Sequence, residues 1–168
     1  RRKRLLKTIG DFERISDHAV NVLESAEELQ SKGLSFSPAA MAEYETLARA
    51  IREILHLSLD SFRQDDPVQA AQVEPLEQVI DCLISAAKST HVERLQSGKC
   101  TIQNGFVLND LLTNYERVSD HCSNIAVSLI ETSAGSFDTH EYLSEVKEGG
   151  SKDYTDLYHA YTKKYALQ

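Results

Sequence analysis

Two segments of this 168-residue sequence repeat a series of side chains that could bind cations. They read DFERISDHAVNV at residues 11–22 and NYERVSDHCSNI at residues 114–125. In a helix, Glu followed four residues later by Asp places two carboxylates one turn apart on the same face. The sequence contains three such pairs: Glu13 with Asp17, Glu77 with Asp81, and Glu116 with Asp120.

Carboxylates brought together at a helix interface repel one another unless protons, Arg side chains or metal ions compensate. Sites built from four or more carboxylates of facing helices suit iron, manganese, magnesium or calcium. The polar positions of the repeat match as faithfully as the apolar ones, which favours metal binding. The alternative is a pair of exposed ion pairs, Arg14 with Asp17 and Arg117 with Asp120. Each would stabilise its helix by roughly a few tenths of a kcal/mol.

Other polar side chains of the repeat are candidates to hold the carboxylates in place rather than to bind an ion. They are Arg14, Arg117, His18, His121, Asn21 and Asn124. Each His directly follows the Asp and points about 100° away from it on a helix. This direction favours a supporting or interface role over direct ligation.

The formal net charge of −8 makes nucleic acid an unfavourable partner, because the overall field repels phosphate backbones. The three cysteines, Cys82, Cys100 and Cys122, are odd in number and form no C-x-x-C pair. This pattern argues against a disulfide framework or a zinc knuckle and fits a reducing compartment. No apolar run reaches the ~18 residues of a membrane span, and no signal peptide is visible.

The chain opens with RRKRLLK and without Met. Basic residues are unfavourable at a helix N-terminus. We therefore expect the sequence to begin within or just before a longer helix, and a solvated basic tail is the alternative.

The apolar spacing of three and four residues predicts long helices joined by short loops. The first ends at Gly33, and Ser37 with Pro38 begins the second. Asp66-Pro67 gives the same start signal for a third helix that ends near Gly98 and returns antiparallel to the second. A fourth helix is predicted from about Phe106 to Gly135.

The C-terminal region carries the signals of an additional helix. Asp138 with Glu141 resembles a capping box, and the helix is expected to break at EGGS and resume from about Lys152. A stripe of Tyr154, Tyr158, Tyr161 and Tyr165 predicts an amphipathic docking surface. Since no segment alternates with a period of two, the fold class is all-α: an up-and-down antiparallel bundle of long helices with an extra C-terminal helix.

The phrases ERISDHAVNV and ERVSDHCSNI resemble the E-R-x-x-D-x-x-x-N-I phrase of the PhoU family of phosphate-transport regulators. In that family the phrase lies on the last helix of each of two three-helix units. The resemblance spans nearly the whole chain and implies a single PhoU-like domain fragment. Its parts would be the last helix of a truncated first repeat at 1–33, a second three-helix repeat at 37–135, and a C-terminal helical tail at 138–168.

The resemblance also implies multinuclear clusters of divalent or trivalent metal ions, with iron first and zinc, manganese or magnesium as alternatives. Glu77 and Asp81 would then face Glu116 and Asp120 in one site. Glu13 and Asp17 would form half of a second site. Their partner carboxylates are expected upstream, or from a second copy in a homodimer.

The amino-acid sequence of the two repeated phrases and their flanking segments is most similar to the cytoplasmic C-terminal domain of bacterial sodium/phosphate cotransporters. This implies a non-enzymatic, metal-binding regulatory domain at the cytoplasmic face of the cell membrane. Its partner would be the membrane transporter domain of the same full-length chain, with inorganic phosphate as a further ligand.

Two other functions stay open. One is a helical adaptor that needs no metal. The other is a di-metal carboxylate enzyme of the ferritin-like type, which requires two Glu-x-x-His motifs. The sequence offers Glu53 with His56 as one copy of that motif.

Overall fold

The computed structural model describes residues 2–134 and 152–167, and within these ranges all regular structure is helical. The helices are α1 (Arg2–Ser31), α2 (Pro38–Gln64), α3 (Pro67–Ala70), α4 (Val73–Gln96), α5 (Ile102–Ala134) and α6 (Lys152–Lys164). The prediction of an all-α fold is confirmed. The predicted helix start at Asp138 and the break at EGGS lie outside the described residues. None of the described helices has the length and apolar content needed to cross a membrane.

The start signals behave differently at α2 and at the predicted third helix. The Ser37 hydroxyl accepts a hydrogen bond from the Ala40 N–H at 3.2 Å, and Pro38 occupies the first turn of α2, as predicted. Asp66 caps only the one-turn helix α3, and the long helix α4 begins separately at Val73. The reason is Pro75, which has no N–H and whose ring would clash with the carbonyl of residue 71 in a continuous helix. The chain therefore restarts so that Pro75 falls in a first turn.

The C-termini of α1 and α4 use glycine as predicted. Gly33 and Gly98 have φ values of 61° and 71°. The chain then closes with hydrogen bonds from Leu34 N–H to Leu29 O at 2.9 Å and from Lys99 N–H to Arg94 O at 2.8 Å. This is the Schellman pattern, which satisfies carbonyls that the helix leaves unpaired.

Helices α2, α4 and α5 pack around an apolar core. Its largest fully buried side chains include Leu47, Ile54, Leu76, Ile80, Leu112 and Leu129. Arg94 near the end of α4 forms a two-pronged ion pair with Glu43 near the start of α2, with both N–O distances 2.9 Å. Because the end of one helix meets the start of the other, α4 runs antiparallel to α2, as predicted.

Helix α1 packs along α5 and touches the end of α2 through an edge-to-face contact of Phe12 with Phe62, with 5.3 Å between the ring centroids. The opposite side of α1 carries large apolar side chains that are more than half exposed in the described part of the chain: Leu6, Ile9, Val20 and Leu23. The first helix is thus attached to the three-helix unit mainly through α5.

The tyrosine stripe of α6 docks within the chain itself. Tyr161 and Tyr165 are buried in the core cluster, and burial raises the pKa of Tyr161 to about 12. The Lys164 ammonium lies 2.7 Å from a Glu53 carboxylate oxygen, which also accepts a hydrogen bond from the Tyr165 hydroxyl. The predicted docking surface is therefore used to attach the C-terminal helix to α2 and α4.

We predict opposite effects of the same substitution at two glycines. Gly10 lies within α1 with open space where the methyl group of an alanine would lie, so Gly10→Ala should raise the free energy of unfolding by about 0.5–1 kcal/mol. Gly33→Ala should lower it by about 1 kcal/mol, because L-residues are strained at positive φ. Urea denaturation monitored by circular dichroism measures both. Equal signs for the two variants would contradict the helix end at Gly33.

Candidate functional site

The two copies of the repeated phrase meet where α1 packs against α5. The rings of His18 and His121 stack with 5.8 Å between centroids and 27° between planes. His121 Nδ1 lies 2.9 Å from Asp11 Oδ1, and His18 Nδ1 lies 2.8 Å from Asn114 Oδ1. Asp11 and Asn114 are the first residues of the two copies. The contacts are therefore related by a local pseudo-two-fold axis between the two His rings.

The asparagines of the repeat complete the same pattern. Asn124 Nδ2 donates to Asp11 Oδ1 at 3.4 Å, and Asn21 Nδ2 donates to Asn114 Oδ1 at 3.1 Å. Asn114 Nδ2 in turn donates to the Asp110 carbonyl at 2.8 Å, which fixes the orientation of that side-chain amide. The first residue of each copy is thus an acceptor. It receives hydrogen bonds from two donors, the His and the Asn of the copy on the other helix.

The Asp11 half of this network is the more buried one. The side chains of Asp11 and His121 are only 10% and 13% exposed. Because a carboxylate oxygen can only accept, His121 donates from Nδ1. The second oxygen, Asp11 Oδ2, is buried without a hydrogen-bond partner in the described part of the chain. A buried carboxylate that loses its remaining donors would be strongly destabilising, so this pair fixes how α1 sits on α5.

The structure places the Glu13–Asp17 pair away from this interface. Both side chains are exposed on α1. No described residue supplies carboxylates opposite them that could complete a metal site. The predicted second half-site therefore faces solvent in the described part of the chain.

The other two carboxylate pairs occupy one stretch of the α4–α5 interface. That stretch is bracketed by Lys88 with Glu116, 3.2 Å apart, and by Glu74 with Ser123, 2.6 Å apart. Glu77 and Asp81 lie inside the bracket on α4, on the helical face that also carries Lys88. Glu77 is buried and Asp81 is half-buried. The structure therefore brings the four predicted ligands Glu77, Asp81, Glu116 and Asp120 to the same part of the bundle.

On α5, both Glu116 and Asp120 have cationic partners among the described residues. Glu116 pairs with Lys88, and Asp120 pairs with Arg117 at 3.4 Å, as the ion-pair alternative predicted for the second copy. Among the described residues, no three His, Cys, Asp or Glu side chains come together closely enough to hold a metal ion. In this arrangement the Lys88 ammonium and the Arg117 guanidinium offset the charges of Glu116 and Asp120, and the metal site stays a prediction.

In the Glu-x-x-His motif of α2, the Glu side chain binds the C-terminal segment of the chain. Glu53 holds the C-terminal helix through Lys164 and Tyr165, whereas His56 is exposed. This use of Glu53 gives the ferritin-like alternative no support.

Two residues of the interface, Asp11 and Asn114, were not among the predicted site residues. A signal for them was available, because residues seven apart share a helix face, and each lies seven residues before the His of its own copy. The pairings themselves span 110 residues of sequence for Asp11 with His121 and 96 for Asn114 with His18, and could not be read from local pattern.

Comparison with known proteins gives one family match and two curated relatives. The model of the PhoU domain matches residues 44–129, slightly more than half of the chain. The phosphate-specific transport system accessory protein PhoU homolog 1 of Thermotoga maritima is 24% identical over 145 residues, which cover 86% of this chain and 61% of that protein. The PhoU homolog of Pseudomonas aeruginosa is 27% identical over 142 residues, covering 84% and 58%. This chain thus spans about three-fifths of the length of these relatives. No solved structure matches it.

A double-mutant cycle tests the asymmetry of the α1–α5 network. Asp11→Ala should lower the free energy of unfolding by about 1–3 kcal/mol, because it leaves the buried His121 donor unpaired. The coupling energy between Asp11→Ala and His121→Ala should be about 1–3 kcal/mol. The matched cycle of His18→Ala with Asn114→Ala should give about 0.5–1 kcal/mol, because its acceptor is an uncharged amide and less buried than Asp11. Denaturant unfolding measures both, and a larger coupling for His18 with Asn114 would overturn the assignment.

Proposed function

The chain belongs to the PhoU domain family, and from this membership we propose that it is a non-enzymatic regulatory domain of phosphate transport. The family match carries the proposal: it covers α2 to α5 from residue 44 to residue 129, including the second copy of the repeated phrase. The two relatives carry the name of phosphate-specific transport system accessory proteins. Regulation of a transporter, rather than catalysis, is the role that this name supports.

The proposal includes a location and a partner. The domain would lie at the cytoplasmic face of the cell membrane and act on a membrane transporter domain of its own full-length chain, a sodium/phosphate cotransporter. The resemblance of the two repeated phrases and their flanking segments supports this finer statement. The partly exposed apolar side of α1, with Leu6, Ile9, Val20 and Leu23, offers an area for protein contact.

Metal binding at the α4–α5 carboxylates is a further part of the proposal. The candidate ligand atoms are all carboxylate oxygens, which suit iron, manganese or magnesium. They belong to Glu77, Asp81, Glu116 and Asp120. Any ion would have to displace Lys88 from Glu116 and Arg117 from Asp120. An ion held there would tie α4 to α5 and stabilise the three-helix unit.

The regulatory role predicts a change in transport when the domain is removed. Deleting residues 44–129 from the full-length protein should alter phosphate uptake and abolish its dependence on intracellular phosphate. Uptake of radiolabelled phosphate, measured in phosphate-starved and phosphate-loaded cells, tests this. Immunoblots of the membrane fraction must show equal transporter abundance. Identical uptake by the two proteins under both conditions would contradict the proposal.

Metal binding makes a separate prediction. Purified protein should contain metal by elemental analysis, and Glu116→Ala with Asp120→Ala should remove it. The matched control, Glu13→Ala with Asp17→Ala, changes the same residue types at the exposed pair and should leave that metal in place. Lys88→Ala should increase occupancy, because it frees Glu116.

Chelation should lower the melting temperature of the wild type by several degrees. A ligand at about a hundred times its Kd stabilises by about 2.7 kcal/mol, and each kcal/mol shifts Tm by about 2–4 °C in a chain of this size. Metal-free wild type with an unchanged melting temperature would instead support the helical adaptor.

A further inference from the structure

A cavity of about 310 Å³ lies at the end of the bundle where α2 begins, α4 ends and α5 begins. Its wall contains a thiol next to an imidazole. Cys100, in the connector after α4, has its Sγ 3.6 Å from Nδ1 of His91 on α4 and 3.5 Å from the Thr101 carbonyl oxygen, so the thiol proton can reach either acceptor. Both Cys100 and His91 are half-buried and line the cavity, and the 3.6 Å separation places the sulfur within hydrogen-bond reach of the ring.

The imidazole ring of His91 occupies space that is open only because residue 105 is glycine. A methyl group at Gly105, in the first turns of α5, would lie 2.5 Å from His91 Nε2. Glycine inside a helix is destabilising relative to alanine, so this position sacrifices helix stability for the close approach of the ring. Burial, and then the positive charge of Arg94, lower the pKa of His91. The ring is therefore neutral near pH 7 and has one nitrogen lone pair available as a proton acceptor.

The charge around the thiol differs from that of the whole protein. The described residues that line the cavity include Arg94 and Lys99 but no Asp or Glu, whereas the formal net charge of the chain is −8. Arg94 is anchored by its two-pronged ion pair with Glu43. The cavity thus admits neutral or anionic reagents more readily than cationic ones.

The other two cysteines lie in different surroundings. Cys122 is fully buried on α5, and burial raises the pKa of its thiol to about 12. Cys82 is exposed on α4, and its sulfur lies 3.8 Å from the Tyr158 hydroxyl. The chain therefore contains one inaccessible thiol and one accessible thiol that contacts a hydroxyl instead of an imidazole, and these serve as internal controls.

We propose that Cys100, with His91 as its proton acceptor, is a modification site for small hydroperoxides and other soft electrophiles. With hydrogen peroxide, His91 Nδ1 takes the thiol proton while the sulfur attacks one peroxide oxygen. An S–O bond forms and the O–O bond breaks. The departing hydroxide takes the proton from His91 and leaves as water. Sulfur is oxidised to the sulfenic acid, peroxide is reduced, and a thiol reductant reverses the change.

Site-resolved alkylation of the native protein tests the proposal. Iodoacetamide labelling, followed by mass spectrometry of peptides, should modify Cys100 at least about tenfold faster than the more exposed Cys82, since the positioned imidazole takes the thiol proton as the sulfur attacks. Cys122 should react only after unfolding. Hydrogen peroxide should add one oxygen to Cys100 first, and dithiothreitol should remove it.

Three variants separate reactivity from exposure. His91→Gln removes the proton acceptor, and Gly105→Ala displaces the ring without changing it. Each should slow the labelling of Cys100 at least about fivefold and leave Cys82 unchanged. His56→Gln, at an exposed His of α2 that does not line this cavity, should change neither rate.

Circular dichroism identifies the variants that remain folded. Equal rates for Cys100 and Cys82 in the wild type overturn the proposal regardless of how the variants fold. An unchanged Cys100 rate in a folded His91→Gln protein overturns the role of the imidazole.

Discussion

The buried pair of Asp11 and His121 is the interaction on which the arrangement of α1 depends. A carboxylate at 10% exposure has one oxygen that accepts from His121 and Asn124 and a second without a described partner. Sliding α1 by one turn would remove both donors and leave a buried charge uncompensated. Among the described elements α1 contacts mainly α5, so we infer that this polar pair sets the register of α1.

Helix α5 can supply the donors that Asp11 requires because it lies at the centre of the bundle and packs a separate face against each neighbouring helix. His121 and Asn114 face α1. The Cys122 carbonyl accepts from Ser58 of α2 at 3.1 Å. Glu116 faces α4 through Lys88. Successive residues point about 100° apart on a helix, so one short phrase can serve three interfaces.

Local signals predicted the helices well, whereas the site depended on contacts that no local signal contains. The helix ends at Gly33 and Ser37 follow from backbone conformation and capping within a few residues. The restart of α4 was missed because the start signal at Asp66 was weighed without the carbonyl clash that Pro75 imposes. The six predicted ligands came from spacing along single helices. Spacing cannot show that Lys88 would reach across from α4 to neutralise Glu116, since that depends on the relative position of two helices.

The repeat shows how packing decides which chemistry a residue performs. Equivalent positions of the two copies carry the same groups but meet different surroundings. Ser16 is exposed and Ser119 is fully buried, while Glu13 is solvated and Glu116 is held by Lys88. The first residue, the His and the following Asn of each copy have equivalent contacts, because they face the pseudo-two-fold axis. In this chain the two copies therefore keep equivalent contacts at the α1–α5 interface, where the duplicated surfaces meet each other.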